Sequence, residues 1–112
     1  MKLCHRICIY VPSTFEGNKP AKRMQRRATK KAAARLSVLF GGCTTTQAVG
    51  YWMSDTKGLI AENQTLVYSN TTEEGKTAHL DTVRDFARAI CRYMRQEAVT
   101  VEVDGELEFI EA

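Results

Sequence analysis

"TTTQAVGYWMSDTKGLIAENQTLVYS", residues 44 to 69, decides the fold. Its two halves, 44–53 and 59–69, are rich in β-branched and aromatic residues, and the "SDTKG" between them supplies the Asp and Gly that a short reversing loop needs. That pattern spells a β-hairpin. On its N-terminal side, from about Pro20 to Phe40, Met24, Ala28, Ala32, Leu36, Leu39 and Phe40 recur at helical spacing, and Gly41 supplies a left-handed stop. On its C-terminal side the polar stretch "NTTEEGK" precedes a second amphipathic helix over about residues 77–96, with Leu80, Val83, Ala87, Ile90 and Met94 on one stripe. The hairpin is therefore framed by two helices.

The outer segments complete the order. Residues 3–11, "LCHRICIYV", alternate Leu3, His5, Ile7, Ile9 and Val11 against Cys4, Arg6, Cys8 and Tyr10, as a strand with one apolar face does, and Pro12 removes the next ladder donor. The tail "VTVEVDGELEFI", residues 99–110, reads as a hairpin. A two-residue Asp104-Gly105 turn would set Val101 opposite Glu108 and Val103 opposite Glu106. A three-residue loop, with Gly105 left-handed, puts Val99 and Val101 on one face with Leu107 and Phe109 and is the expectation. The sum is β-α-β-β-α-β plus a terminal strand, a ferredoxin-like α+β fold in a single domain spanning residues 1–112. In that topology "VPST" and "SDTKG" meet at one end, and "GGCTTT" and "SNTTEEGKT" at the other. Both ends are candidate site regions.

A chain of 112 residues with 44% apolar and 26% charged content suits one domain. No run of eighteen apolar residues is present and no apolar leader with a small-residue cleavage site, so the chain is expected to be cytoplasmic and independent of membranes. Cys4, Cys8, Cys43 and Cys91 are expected as reduced thiols. Cys4 and Cys8 fall roughly 13 Å apart along one strand face, no C-x-x-C occurs, and no close set of ligand-type partners is assigned to His5 or His79, so no metal and no cofactor is implied.

Charge is segregated. Residues 19–35, "KPAKRMQRRATKKAAAR", hold eight basic side chains and no acid in a chain of net charge +3, whereas residues 97–112 hold six acids and no base. Lys22, Arg26 and Lys30 form one row at i, i+4 spacing, and Arg23, Arg27, Lys31 and Arg35 a second. Like charges so placed repel by about a few tenths of a kcal/mol per pair, a cost a merely solubilising helix would relieve with Glu. The stripe suits a phosphate backbone or an acidic protein face, although no aromatic residue within it offers base stacking.

Other candidates are smaller. "NTTEEGKT", residues 70–77, departs from a phosphate-binding loop at Asn70, where the first glycine belongs, and Glu73 and Glu74 would repel a triphosphate. "FGGCTTT" could cradle an anion or simply stop a helix, and Cys43 has no assignable base. Tyr51, Trp52 and Tyr68 sit on the hairpin, where an uncovered sheet face would form a stacking platform or a dimer seam. Glu62, Asn63 and Gln64 interrupt an otherwise apolar strand; edge exposure explains them, or Glu62 faces a ligand.

The run Leu39-Phe40-Gly41-Gly42-Cys43-Thr44, Gly50-Tyr51-Trp52, Glu62, Val67-Tyr68-Ser69 and Gln96-Glu97-Ala98-Val99 resembles a pattern of small uncharacterised bacterial and mobile-element proteins, a domain of unknown function. The resemblance implies a compact, nonenzymatic protein carried on phage-like or plasmid DNA that blocks host machinery. The first expectation is accordingly a non-enzymatic binding or inhibitor protein, of the anti-CRISPR type, engaging nucleic acid or a nucleoprotein complex through Lys22, Arg23, Arg26, Arg27, Lys30, Lys31 and Arg35. The second is a nucleotide-like ligand binder or sequestering homodimer with a pocket drawn from Thr44, Thr46, Trp52, Glu62 and Tyr68. The third is a small enzyme using Glu62 or Cys43.

Overall fold

The alternating residues that follow Cys4 fold as strand β1 (His5–Pro12), which takes the middle of a five-stranded antiparallel sheet. The computed structural model describes residues 1–112. After β1 come a two-stranded ribbon, β2 (Thr14–Phe15) and β3 (Lys19–Pro20), helix α1 (Lys22–Phe40), strands β4 (Thr44–Ser54) and β5 (Gly58–Thr71), helix α2 (Glu73–Met94), and strands β6 (Val99–Val103) and β7 (Glu106–Ile110). Strand order is β4-β5-β1-β6-β7, the ferredoxin-like arrangement with β7 as the extra strand.

Both helices cover one face. Ile7, Ile9 and Val11 of β1, with Val67 and Val101 beside them, pack against Ala28, Ala32 and Leu36 of α1 and Val83, Ala87 and Ile90 of α2. Each large aliphatic side chain taken from water here contributes about 1.5–3 kcal/mol. The alanines of α1 let that helix lie close to the sheet.

Helix α1 ends as the sequence suggests: Gly41 adopts φ 90° and its N–H donates to the Ser37 carbonyl. Helix α2 starts a turn earlier than residue 77. The Thr72 hydroxyl accepts from the Gly75 N–H at 3.1 Å, and Glu73 and Glu74 occupy the first turn, where acids complement the helix dipole. The polar residues that masked this turn are its capping device. Gly75 makes a close approach: a Cβ there would lie 2.1 Å from Thr71 Oγ1, so that hydroxyl would have to turn away. Residues 70–77 therefore form a strand end and a capped helix start rather than a phosphate loop.

The terminal hairpin corrects the expected loop length. Val103 pairs with Glu106 and Val101 with Glu108 across a two-residue turn, Asp104 at φ 52° and Gly105 at φ 87°. Glu106, Glu108 and Ile110 thus share the face of the buried valines, and Leu107 and Phe109 lie on the other face, 52% and 69% exposed. Two contacts make this register tolerable. The Arg84 guanidinium of α2 donates to both Glu108 oxygens at 2.8 and 2.9 Å, holding that carboxyl below its ordinary range. Asp104 also clasps β1, accepting from the Arg6 N–H at 2.7 Å while its own N–H donates to the Arg6 carbonyl at 2.9 Å.

His5 closes the same corner. Its Nδ1 is 2.7 Å from Asp104, its Nε2 contacts Glu73, and Lys76 of α2 reaches Asp104 at 3.1 Å. Only the imidazolium donates from both nitrogens at once, and the hydrogen bonds to Asp104 and Glu73 raise the His5 pKa from 6.5. The Arg6 amide, followed by His5, lowers Asp104 to about 2. The His5 contribution is complete below pH 6.5 and disappears as pH rises through its raised folded value; that of Asp104 is present above 3.8 and disappears as pH falls toward about 2. Thermal unfolding should give a higher Tm at about pH 5.5 than at about pH 8.5. In His5→Gln this alkaline decline should flatten; an unchanged decline would remove His5 as its source.

Candidate active site

The site grows from a mismatch in strand length. Pro12 is the last residue of β1 to pair, opposite Gln64, whereas β5 runs on to Gly58 with β4 as its sole neighbour. The overhang is a two-stranded arm closed by Ser54–Gly58, with Gly58 at φ 75°. Side chains along it alternate strictly. Val49, Tyr51, Met53 and Leu59 occupy the row that continues the helix-side face, where no helix reaches them, and all four are exposed. Gly50, Trp52, Ile60 and Glu62 occupy the opposite row.

Beyond Pro12 the chain doubles back as the β2–β3 ribbon, a flap turning through Glu16 (φ 52°) and Gly17 (φ 83°). It is tied to the end of α2. The Glu16 N–H donates to the Met94 carbonyl at 3.0 Å, and its carboxylate binds Lys19 and Arg95, each at 2.7 Å. Those two cations hold the Glu16 carboxyl below its ordinary range. The Gln96 amide donates to the Thr14 carbonyl at 2.8 Å and to Thr14 Oγ1 at 3.3 Å.

Flap and arm enclose a cleft of about 690 Å³ whose lining includes Thr14, Asn18, Trp52, Lys57, Ile60 and Glu62. That size suits a nucleoside-sized ligand. Glu62 is half-buried and stands opposite Gly50, so no cross-strand side chain screens it from the cleft. Thr14 Oγ1 lies 3.4 Å from its Oε1 and 3.2 Å from the Gly17 carbonyl. With Gln96 donating to the hydroxyl oxygen, the single hydroxyl proton turns to one of those two acceptors. Neither Glu62 nor Lys57 has an ion-pair partner in the chain. The cleft therefore presents an uncommitted carboxylate, an ammonium and an indole to whatever enters.

The other residues singled out by sequence distribute differently. Thr44, Thr46, Trp52, Glu62 and Tyr68 do share one sheet face, but Thr44 pairs with Tyr68 eight residues along β4 from Trp52, about 27 Å away. Thr44 and Tyr68 line a shallow hollow of about 250 Å³ with Gly41, Gly42 and Cys43. Thr46 belongs to neither recess, and Tyr51 points away from Trp52. Tyr68 is no free stacking platform, because the Arg6 guanidinium lies 3.8 Å above its ring. The Cys43 thiol contacts Ser37 Oγ and the Ala33 carbonyl, each at 3.5 Å, with no base in reach. Burial pushes the Cys8 thiol up to about 12, leaving it unreactive. Thr14 and Lys57 belong to "VPST" and "SDTKG", the two segments that the sequence placed together at one candidate end, and both line this cleft, though neither was singled out by itself; Gln96 entered only through the resemblance and Asn18 not at all.

No protein-family model matches the sequence, and no curated protein does. Solved structures do match in fold. A phage SAM lyase in complex with S-methyl-5′-thioadenosine superposes with a TM-score of 0.66 at 18% identity, over 96% of this chain and 89% of that one. The apo state of a phage SAM lyase gives 0.67 at 18% identity, over the same shares. The fold is thus one that a phage-borne enzyme uses and that holds a small ligand there. That finding overturns the expectation of a non-enzymatic protein. No helix here is long and apolar enough to cross a membrane.

Gln96→Leu should release Thr14 and loosen the flap, lowering stability in denaturant unfolding by about 1–3 kcal/mol and raising hydrogen exchange at residues 14–20. Unchanged exchange there would mean that the Glu16 ties suffice.

Proposed function

We propose that this chain is an enzyme that degrades S-adenosylmethionine and that the cleft between flap and arm is its active site. The observation that carries the reading is Glu62: a carboxylate with no ion-pair partner, facing a nucleoside-sized cleft beside Trp52, in a fold shared with phage SAM lyase structures.

S-methyl-5′-thioadenosine is what S-adenosylmethionine leaves when the bond from sulfur to the methionine γ-carbon breaks and its electron pair stays on sulfur. A sulfonium charge is lost in that step. Walls such as Trp52, Ile60 and Ala61 then favour the transition state, in which the charge is already fading, over the charged substrate. The γ-carbon completes its valence within the methionine part, by bonding its own carboxylate oxygen or by forming a double bond as a β-proton leaves. Glu62 accepts the substrate's ammonium in the first route and the β-proton in the second; Lys57 meets the substrate carboxylate, and Trp52 stacks on the adenine. Neither route consumes water or an oxidant.

The purified chain should convert S-adenosylmethionine to S-methyl-5′-thioadenosine, followed by chromatography, and the methionine-derived product tells the two routes apart. Glu62→Gln should lower kcat/KM by about 100-fold or more with Tm preserved. Binding without turnover would reduce the protein to a sequestering one, and no binding would sink the assignment of the cleft.

The same reading includes a homodimer. Val49, Tyr51, Met53 and Leu59 form an exposed apolar row on the arm, and a second copy seated there would take it out of water. Light scattering should give twice the chain mass and Tyr51→Asp should restore the monomer. A wild-type monomer at every concentration would remove the dimer.

A further inference from the structure

The cleft leaves the basic helix without a role. Lys22, Arg23, Arg26, Arg27, Lys30, Lys31 and Arg35 are all exposed, and none enters an ion pair, whereas Lys19, Lys76, Arg84, Arg88 and Arg95 each hold an acid. Ala28, Ala32 and Leu36 are buried on the opposite side of α1, so the helix is fastened to the sheet and its cations are presented together. From Lys22 to Arg35 the two rows extend about 20 Å, the rise of about six phosphate steps along one strand of a duplex. We propose that this face of α1 docks on the phosphate backbone of double-stranded nucleic acid, without reading its sequence, across the sheet from the cleft.

Two alternatives fit less well. A single strand would call for a series of aromatic side chains on which successive bases stack, yet none lies among the cations of α1; on α2, Phe86 sits beneath the Arg35 guanidinium at 5.7 Å and Tyr93, beside Lys31, offers one exposed ring. A second copy would have to bring an acidic strip. Its acidic edge is already partly spent, with Glu108 held by Arg84 and Asp104 by His5 and Lys76, leaving Glu97, Glu102, Glu106 and Glu111 against seven cations. Nor does charge spacing without interspersed Glu serve the helix itself, because the repulsion along each row is unrelieved.

The test is fluorescence anisotropy of the intact chain with a labelled duplex of about 20 base pairs and arbitrary sequence, at about 50 and about 200 mM salt. If about four phosphates are neutralised, affinity falls roughly 100-fold or more between those salts. The Arg26→Glu/Arg27→Glu double variant should bind about 100-fold more weakly at the lower salt and show a shallower salt slope. Its circular dichroism melt, and its conversion of S-adenosylmethionine if the wild type has that activity, should be unchanged; the first of these separates lost docking from lost fold. No duplex binding at the lower salt overturns the proposal. So does a double variant that binds as before, tighter binding to a single strand of equal length, or polyglutamate of equal charge displacing the duplex as well as unlabelled duplex does.

Discussion

Pairing of β1 with β5 is the interaction on which the rest depends. Eight consecutive residues, His5 to Pro12, lie opposite Thr71 to Gln64, and the same strand carries β6 on its other edge. Its inward row, Ile7, Ile9 and Val11, has no exposed surface and is the floor on which both helices rest. A slip of one residue would turn that row to solvent and replace it with Arg6, Cys8 and Tyr10. Because the two strands differ in length, the pairing also leaves β5 and β4 projecting beyond Pro12. The cleft is what the flap makes of that projection.

The opposite faces of the sheet have separate chemistry. On the helix side the outward surface of α1 is cationic, and the anionic residues of the last hairpin are drawn inward by Arg84, His5 and Lys76. On the other side, Arg6 above Tyr68 and the Tyr10 hydroxyl donating to Glu102 occupy the middle of the sheet, so Cys8 between them is closed off. Space for a ligand remains where β1 has ended. This division lets a polyanion and a nucleoside occupy the protein without competing, as the two proposals together require.

Ties to the flap follow the same logic. A ribbon of two residues per strand has too few ladder bonds to hold itself, and its position is set from outside by the Met94 carbonyl and Arg95, both gripping Glu16, and by Gln96. Arg95 sits just past α2 in a left-handed conformation, φ 51°, which aims its side chain back over the Phe15 ring at 5.2 Å. The geometry around Glu62 is thus governed by residues more than thirty positions away in the chain.

The sequence by itself determined the order of the main elements, the two helices, the central hairpin and the segregated charge, because each rests on local periodicity and on Gly or Pro at an end; the short β2–β3 ribbon, too brief to show a period, it did not reveal. It also marked Glu62 as an interruption of an otherwise apolar strand and Trp52 as a candidate pocket residue. Tertiary structure decided what those marks meant. Whether Glu62 faces solvent, core or a cleft depends on where β1 stops beside β5, which no local pattern states. The length of the last turn was likewise out of reach: parity of apolar residues argued for three residues, but an arginine on α2 made an acid acceptable opposite Val101, and Asp104 found partners in Arg6 and His5. Gln96 and Thr14 are 82 positions apart, and only the folded chain brings an amide, a hydroxyl and a carboxylate into one line.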